Sequence, residues 1–117
     1  MDKRDSELLR GTLASLVLAV LDVGPLYGYE IAKQIRERTD GLLHLKEGSL
    51  YPALHAMERE RLLSSQWLPR ETGPSRKYYR LTREGRSALN ADRTRWSRFR
   101  DAVDTVLLAR PAEGRLS

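Results

Sequence analysis

A chain of 117 residues is long enough to bury one hydrophobic core without covalent staples, and a single compact domain is expected. It contains no cysteine, which excludes a disulfide scaffold, a thiol nucleophile and thiolate zinc sites and agrees with a reducing, cytoplasmic setting. Lysine and arginine outnumber aspartate and glutamate by 21 to 16, giving a net charge of +5. That excess is compatible with a polyanionic partner, and the placement of the cations has to decide.

The opening "MDKRDSELLRGTLASLVLAVLDVG" has the outline of a secretory signal, with basic residues before an apolar run. Asp2, Asp5 and Glu7 dilute the basic end, Asp22 stops the run, and no small-residue cleavage site follows. The run is too short for a membrane span and predicts a buried helix from Ser6 to Asp22, with Leu9, Leu13, Leu16, Val17 and Val20 at helical spacing. Leu8, Leu18 and Leu21 widen its apolar surface to nearly all round.

"GPLYG" is a break, and "GYEIAKQIRER" predicts a second helix over Gly28 to Arg38, with Ile31 and Ile35 on one face and Gly41 suited to a left-handed stop. "LLHLK" is a connector, with His44 expected to pack between its leucine neighbours. A third helix follows in "EGSLYPALHAMERERLL". Beyond it, "SSQWL" and "KYYRL" are short aromatic-rich segments separated by "PRETGPSR", the pattern of a β-hairpin with a basic tip. Tyr78 and Tyr79 alternate in direction, so one of them belongs to the core. Thr82 is the expected N-cap of a last helix from Arg83 to Leu108. Leu89, Trp96 and Val103 recur every seven residues, with Phe99 and Val106 between, which makes a heptad seam interrupted at Asp92. The tail "RPAEGRLS" reads as frayed.

Three helices, a two-stranded wing and a long last helix are the plan of a winged helix-turn-helix, a mainly α (α+β) fold whose third helix enters the DNA major groove. That helix carries Leu50, Leu54 and Met57 on one stripe and Tyr51, Pro52, His55 and Arg59 on the other. With Gly48 or Ser49 as N-cap, Pro52 falls in the first turn, where its missing N–H removes no intrahelical bond. Its flat ring suits a thymine methyl. Ser49, Tyr51 and His55 can donate or accept at base edges or phosphates, and Arg59 can take a phosphate. On the wing, Arg76 and Lys77 are expected to contact the backbone. His44 and His55 are the only histidines and make no metal-ligand pattern, and Ser49 with His55 lacks the orienting carboxylate of a catalytic triad. Neither an enzyme nor a cofactor is expected.

"GSLYPALHAMERERLL", with "GPLYGYEIAKQI" before it and "GPSRKYYRLTREGRSAL" after it, resembles the PadR family of bacterial transcription factors, named after a phenolic acid decarboxylase regulator. The short carboxy-terminal part is similar to the family's small subgroup, which keeps one long dimerisation helix. The resemblance implies a homodimeric repressor on a pseudo-palindromic double-stranded operator. It would have residues 1–82 as the DNA-binding domain, 83–110 as the dimerisation helix and 111–117 as a disordered tail. It further implies that Ser49, Tyr51, Pro52 and His55 face the groove, that Tyr27 approaches a phosphate, and that a small aromatic or phenolic effector is a candidate partner. Leu13, Leu16, Leu89, Trp96, Phe99 and Val103 are the residues expected at the dimer interface or in an effector pocket. Whether Trp96 and Phe99 hold a ligand or only pack the dimer stays open. Two competing readings are a winged-helix protein-interaction module and a non-specific architectural DNA binder.

Overall fold

A computed structural model describes residues 3–109. The expected frayed tail at 111–117, and the last residue of the expected dimerisation helix, lie outside the described residues.

The first apolar run is two helices, α1 (Lys3–Arg10) and α2 (Leu13–Val20), where one was expected. The break is at Gly11–Thr12. The Thr12 hydroxyl turns back to donate to the carbonyls of Leu9 (3.1 Å) and Leu8 (3.4 Å), taking two of the acceptors that α1 leaves open at its end. α2 then enters the core through Val17, Leu18 and Val20, and a 3₁₀ turn (Leu21–Val23) closes it. Leu8, expected to widen the buried surface, stays exposed.

β1 (Leu26–Tyr27) leads directly into α3 (Gly28–Arg38). The Glu30 carboxylate accepts from the Tyr27 N–H at 3.3 Å, a capping bond at the helix start. At its other end the N–H groups of Gly41 and Asp40 bond back to the Arg36 and Glu37 carbonyls (2.8 and 3.2 Å). This is a Schellman closure, and Asp40 takes a positive φ of 50° beside Gly41 at 81°. His44 is exposed on the connector, while Leu45 is the residue that enters the core.

α4 (Glu47–Arg59) begins earlier than expected, with Lys46 as N-cap rather than Gly48 or Ser49. Pro52 is therefore the sixth helical residue, in the second turn, and its missing N–H does cost a bond: the Gly48 carbonyl loses its donor. Gly48 is exposed, so water can take that carbonyl. α4 ends in a second Schellman closure. There Arg61 takes φ 64°, and the Leu62 and Arg61 N–H groups reach Met57 and Glu58 (2.9 and 3.0 Å).

β2 (Leu63–Leu68) and β3 (Arg76–Leu81) pair antiparallel, Leu63 opposite Leu81 through Leu68 opposite Arg76. The sheet has three strands, not two, because β1 pairs with β3 on the far side, giving the order β1-β3-β2. Tyr79 is the buried member of the tyrosine pair and the largest fully buried side chain. α5 (Arg83–Leu107) starts on Thr82, whose Oγ1 accepts from the Gly85 N–H at 2.9 Å, as expected. A Cβ on Gly85 would stand 2.0 Å from the Leu62 carbonyl oxygen, so only glycine lets α5 seat against the start of β2. The core is one cluster, filled from α2, α3, α4 and β2 together with Leu9, Leu21, Leu45, Tyr79 and Leu89.

Candidate nucleic-acid interface

α4 turns Leu50, Leu54 and Met57 into the core, which leaves Ser49, Pro52, His55 and Arg59 exposed. Tyr51 stands on the flank between the two faces. It is half-buried because its ring lies on Gly28: a Cβ there would be 2.7 Å from the Tyr51 hydroxyl oxygen. The missing Cβ brings the start of α3 and the front of α4 into contact, so Tyr51 is a wall of the site more than a projecting group.

The sheet supplies the facing wall. Tyr27 and Tyr78 are opposed across β1 and β3, with ring centroids 5.5 Å apart and edge-on. The Arg76 guanidinium lies 4.3 Å from the Tyr27 ring centroid, a cation–π contact that holds the arginine at the turn end of the wing's strands. Trp67, paired with Lys77 in the hairpin register, is 65 % exposed.

Between α4 and the wing, Glu58 is the tie. Its Oε1 meets the Lys77 ammonium at 3.1 Å, and its Oε2 accepts from the Ser65 hydroxyl. The Ser65 hydrogen bond, followed by Lys77, holds the Glu58 carboxyl below its ordinary range against the opposing effect of burial. For Lys77, burial pulls the ammonium down, but the bond to Glu58 and its neighbours outweigh it and the net shift is upward. Burial pushes the Tyr79 phenol up.

These walls enclose a cleft of about 340 Å³. Around it stand Tyr27, Tyr51, His55, Arg76 and Lys77, all expected from sequence, together with Gly28, Tyr79 and the unexpected Trp67. Ser49, Pro52 and Arg59 lie outside the cleft, on the exposed side of α4. The arrangement is a projecting helix face beside an aromatic, cationic recess.

Residues 17–91 match the Transcriptional regulator PadR-like family. The chain belongs to the PadR-like family. It is similar to a solved transcriptional regulator from Clostridium thermocellum, with 33% identity and TM-score 0.79, over 86% of this chain and 98% of that one. A PadR family regulator from Clostridium difficile is 39% identical, with TM-score 0.71 over 84% of this chain and 99% of that one. One from Eggerthella lenta is 35% identical, with TM-score 0.77 over 89% and 88%. The protein is thus a winged-helix, DNA-binding transcriptional regulator and not an enzyme. Among the described residues, no helix is long and apolar enough to cross a membrane.

The second group of expected residues is divided by this PadR-like fold. Leu89, read from its heptad spacing as a seam residue, is 2 % exposed and packed in the core of its own domain, so it offers nothing to a partner. Leu13 and Leu16 are half-buried against the same core. Trp96 and Phe99 remain 49 % and 60 % exposed, with their rings 6.0 Å apart, and Val103 is half-buried. Asp92, the apparent fault in the heptad, accepts from the Ser15 hydroxyl at 2.6 Å and fastens α5 to α2. Asp22 does the same from the 3₁₀ turn, pairing with Arg86 and, at 3.5 Å, with Arg93. The Arg86 hydrogen bond is the main cause that holds the Asp22 carboxyl below its ordinary range.

Three residues of the interface were missed. Trp67 was placed only within an aromatic-rich hairpin strand, and its position beside the basic tip was the signal that it edges the wing. Glu58 was lost in the run "MERER", although it stands two helical turns after Tyr51 on the same flank of α4. Gly28 gave no sign of its role until Tyr51 was seen against it.

Proposed function

We propose that the protein is a homodimeric repressor that lays α4 in the major groove of a pseudo-palindromic operator. The observation that carries this reading is the outward face of α4, where Ser49, Pro52, His55 and Arg59 are exposed beside a wall of Tyr27, Tyr51 and Arg76. His55 and Ser49 are suited to base edges, Pro52 to a thymine methyl, Arg59 to a phosphate. Arg76, which has no carboxylate partner among the described residues, is suited to the flanking backbone, as is the Tyr27 hydroxyl. Lys77 sits in the same wall with its charge already given to Glu58.

In this reading residues 1–82 form the DNA-reading unit and residues 83–110 the dimerisation helix. Trp96, Phe99, Val103 and Val106 recur along α5 at heptad spacing, and Val106 is 79 % exposed. A second copy of α5 would cover this apolar row and hold two α4 helices about 34 Å apart, one turn of DNA. The Trp96–Phe99 pair supplies aromatic faces for a flat effector at that junction.

Footprinting on fragments selected from genomic DNA, with sedimentation of the free protein, tests the proposal. Protection of two half-sites one turn apart by a dimer is expected. Uniform binding to random DNA would favour an architectural binder. A monomer at micromolar concentration would remove the dimer.

A further inference from the structure

We infer that Glu58 is a specificity-determining residue: it withholds Lys77 from the DNA backbone and so lowers the protein's attraction to DNA of any sequence. The inference rests on the reading of α4 and the wing as the DNA-contacting surface. Lys77 lies toward the turn end of the wing, one pair from its last, where a cation is suited to a phosphate contact. Here its ammonium is 3.1 Å from Glu58 Oε1, and the two side chains are only 25 % and 32 % exposed. Burial of that degree shields the pair from salt more than a surface pair is shielded. Ser65 fixes the other carboxylate oxygen, so Glu58 is not free to swing away. The raised Lys77 and lowered Glu58 titrations agree with a pair kept charged and mutually bound.

The consequence is electrostatic. Affinity for any DNA falls with salt by a slope of about 0.9 for each phosphate neutralised, because each contact releases condensed counterions. A lysine already neutralised by its own protein releases none. Arg76, the preceding residue on the same strand, has no such carboxylate among the described residues and keeps its charge for the backbone. Two adjacent wing cations of like sequence character therefore have opposite parts: Arg76 attracts DNA, and Lys77 braces the wing on α4. Glu58 is a positioning residue in this scheme and touches no nucleotide.

The test is titration of the full chain with a labelled random-sequence duplex and with a genomic fragment retained by the unaltered protein, over a fourfold range of salt. Glu58→Gln keeps an oxygen for Ser65 and frees Lys77. Its salt slope on random duplex is expected to steepen by about 0.9, about a 3.5-fold larger gain in affinity across that range. Its preference for the genomic fragment is expected to fall. Lys77→Met is expected to leave the slope unchanged, and the double variant to return it to that of the unaltered protein. Ser65→Ala, which loosens the wing but leaves the charge of Glu58, is expected to leave the slope alone. A shallower slope for Lys77→Met would mean that Lys77 already meets a phosphate, and the inference fails. It fails equally if Glu58→Gln has no effect on the slope, or if Ser65→Ala reproduces its effect. Should the unaltered protein retain neither duplex, the reading of α4 and the wing falls first and takes this inference with it. Binding by the unaltered protein without the Glu58→Gln effect overturns the inference alone.

Discussion

The two halves of α5 differ in inverse proportion to their burial: the first carries one large apolar residue and is packed, the second carries five and is open. From Thr82 to Asp92 the helix is held by its own domain: Gly85 and Leu89 are buried, Arg86 pairs with Asp22, and Asp92 meets Ser15. From Arg95 to Leu107 none of its residues is buried, and Trp96, Phe99, Val106 and Leu107 are exposed. One helix thus has a first half built into the domain core and a second half whose apolar row no other described element covers. The heptad seam read from sequence runs across both, interrupted only at Asp92, because spacing gives the face of a residue and not what stands opposite it.

The largest effect is expected in the finished half. Leu89→Ala leaves a cavity in the domain core and is expected to cost about 2–5 kcal/mol, read as a lower denaturant midpoint. Phe99→Asp sharpens the contrast from the other side. It should leave the helical circular dichroism of the domain intact and weaken self-association at least tenfold by sedimentation, the equivalent of about 1.4 kcal/mol. If Phe99→Asp unfolds the domain as Leu89→Ala does, the division of α5 is wrong.

Acid should act on the ties rather than the seam. Glu58 and Asp22 are held below their ordinary values of 4.5 and 3.8. Their contribution to stability is therefore complete above those values and is lost as the pH falls through the lowered ones. Denaturant midpoints followed from about pH 6 down to about pH 2 are expected to decline, and Glu58→Gln to flatten part of that decline. The smallest effect is a gain. Arg61 pays for a left-handed φ of 64° at the end of α4. Arg61→Gly is expected to raise the melting temperature by a margin worth up to about 1 kcal/mol.

Much of this was legible in the chain. The apolar stripe Leu50–Leu54–Met57, the Thr82 cap and the alternation of Tyr78 with Tyr79 each follow from one periodicity or one hydrogen bond. What escaped depends on distant partners. β1 is two residues long, too short for any pattern, and exists because β3 offers it an edge. The Thr12 break replaced a continuous helix because a hydroxyl found two carbonyls. The start of α4 was misplaced because Gly48 and Ser49 are good caps in isolation, while Lys46 is the residue with extended backbone (φ −86°, ψ 148°). Lys77 read as a free cation because nothing local announces Glu58, 19 residues earlier.

The seat of Gly85 under the Leu62 carbonyl has a mechanical meaning. From Gly85 to Leu107 α5 extends about 33 Å, at about 1.5 Å per residue, and acts as a stiff lever on that fulcrum. A tilt of about 10° there would sweep the far end through roughly 6 Å, close to two base-pair rises of about 3.4 Å. In the proposed dimer, a missing methyl group would thereby act as the gauge for the stretch of duplex that a coupled pair of such levers can span.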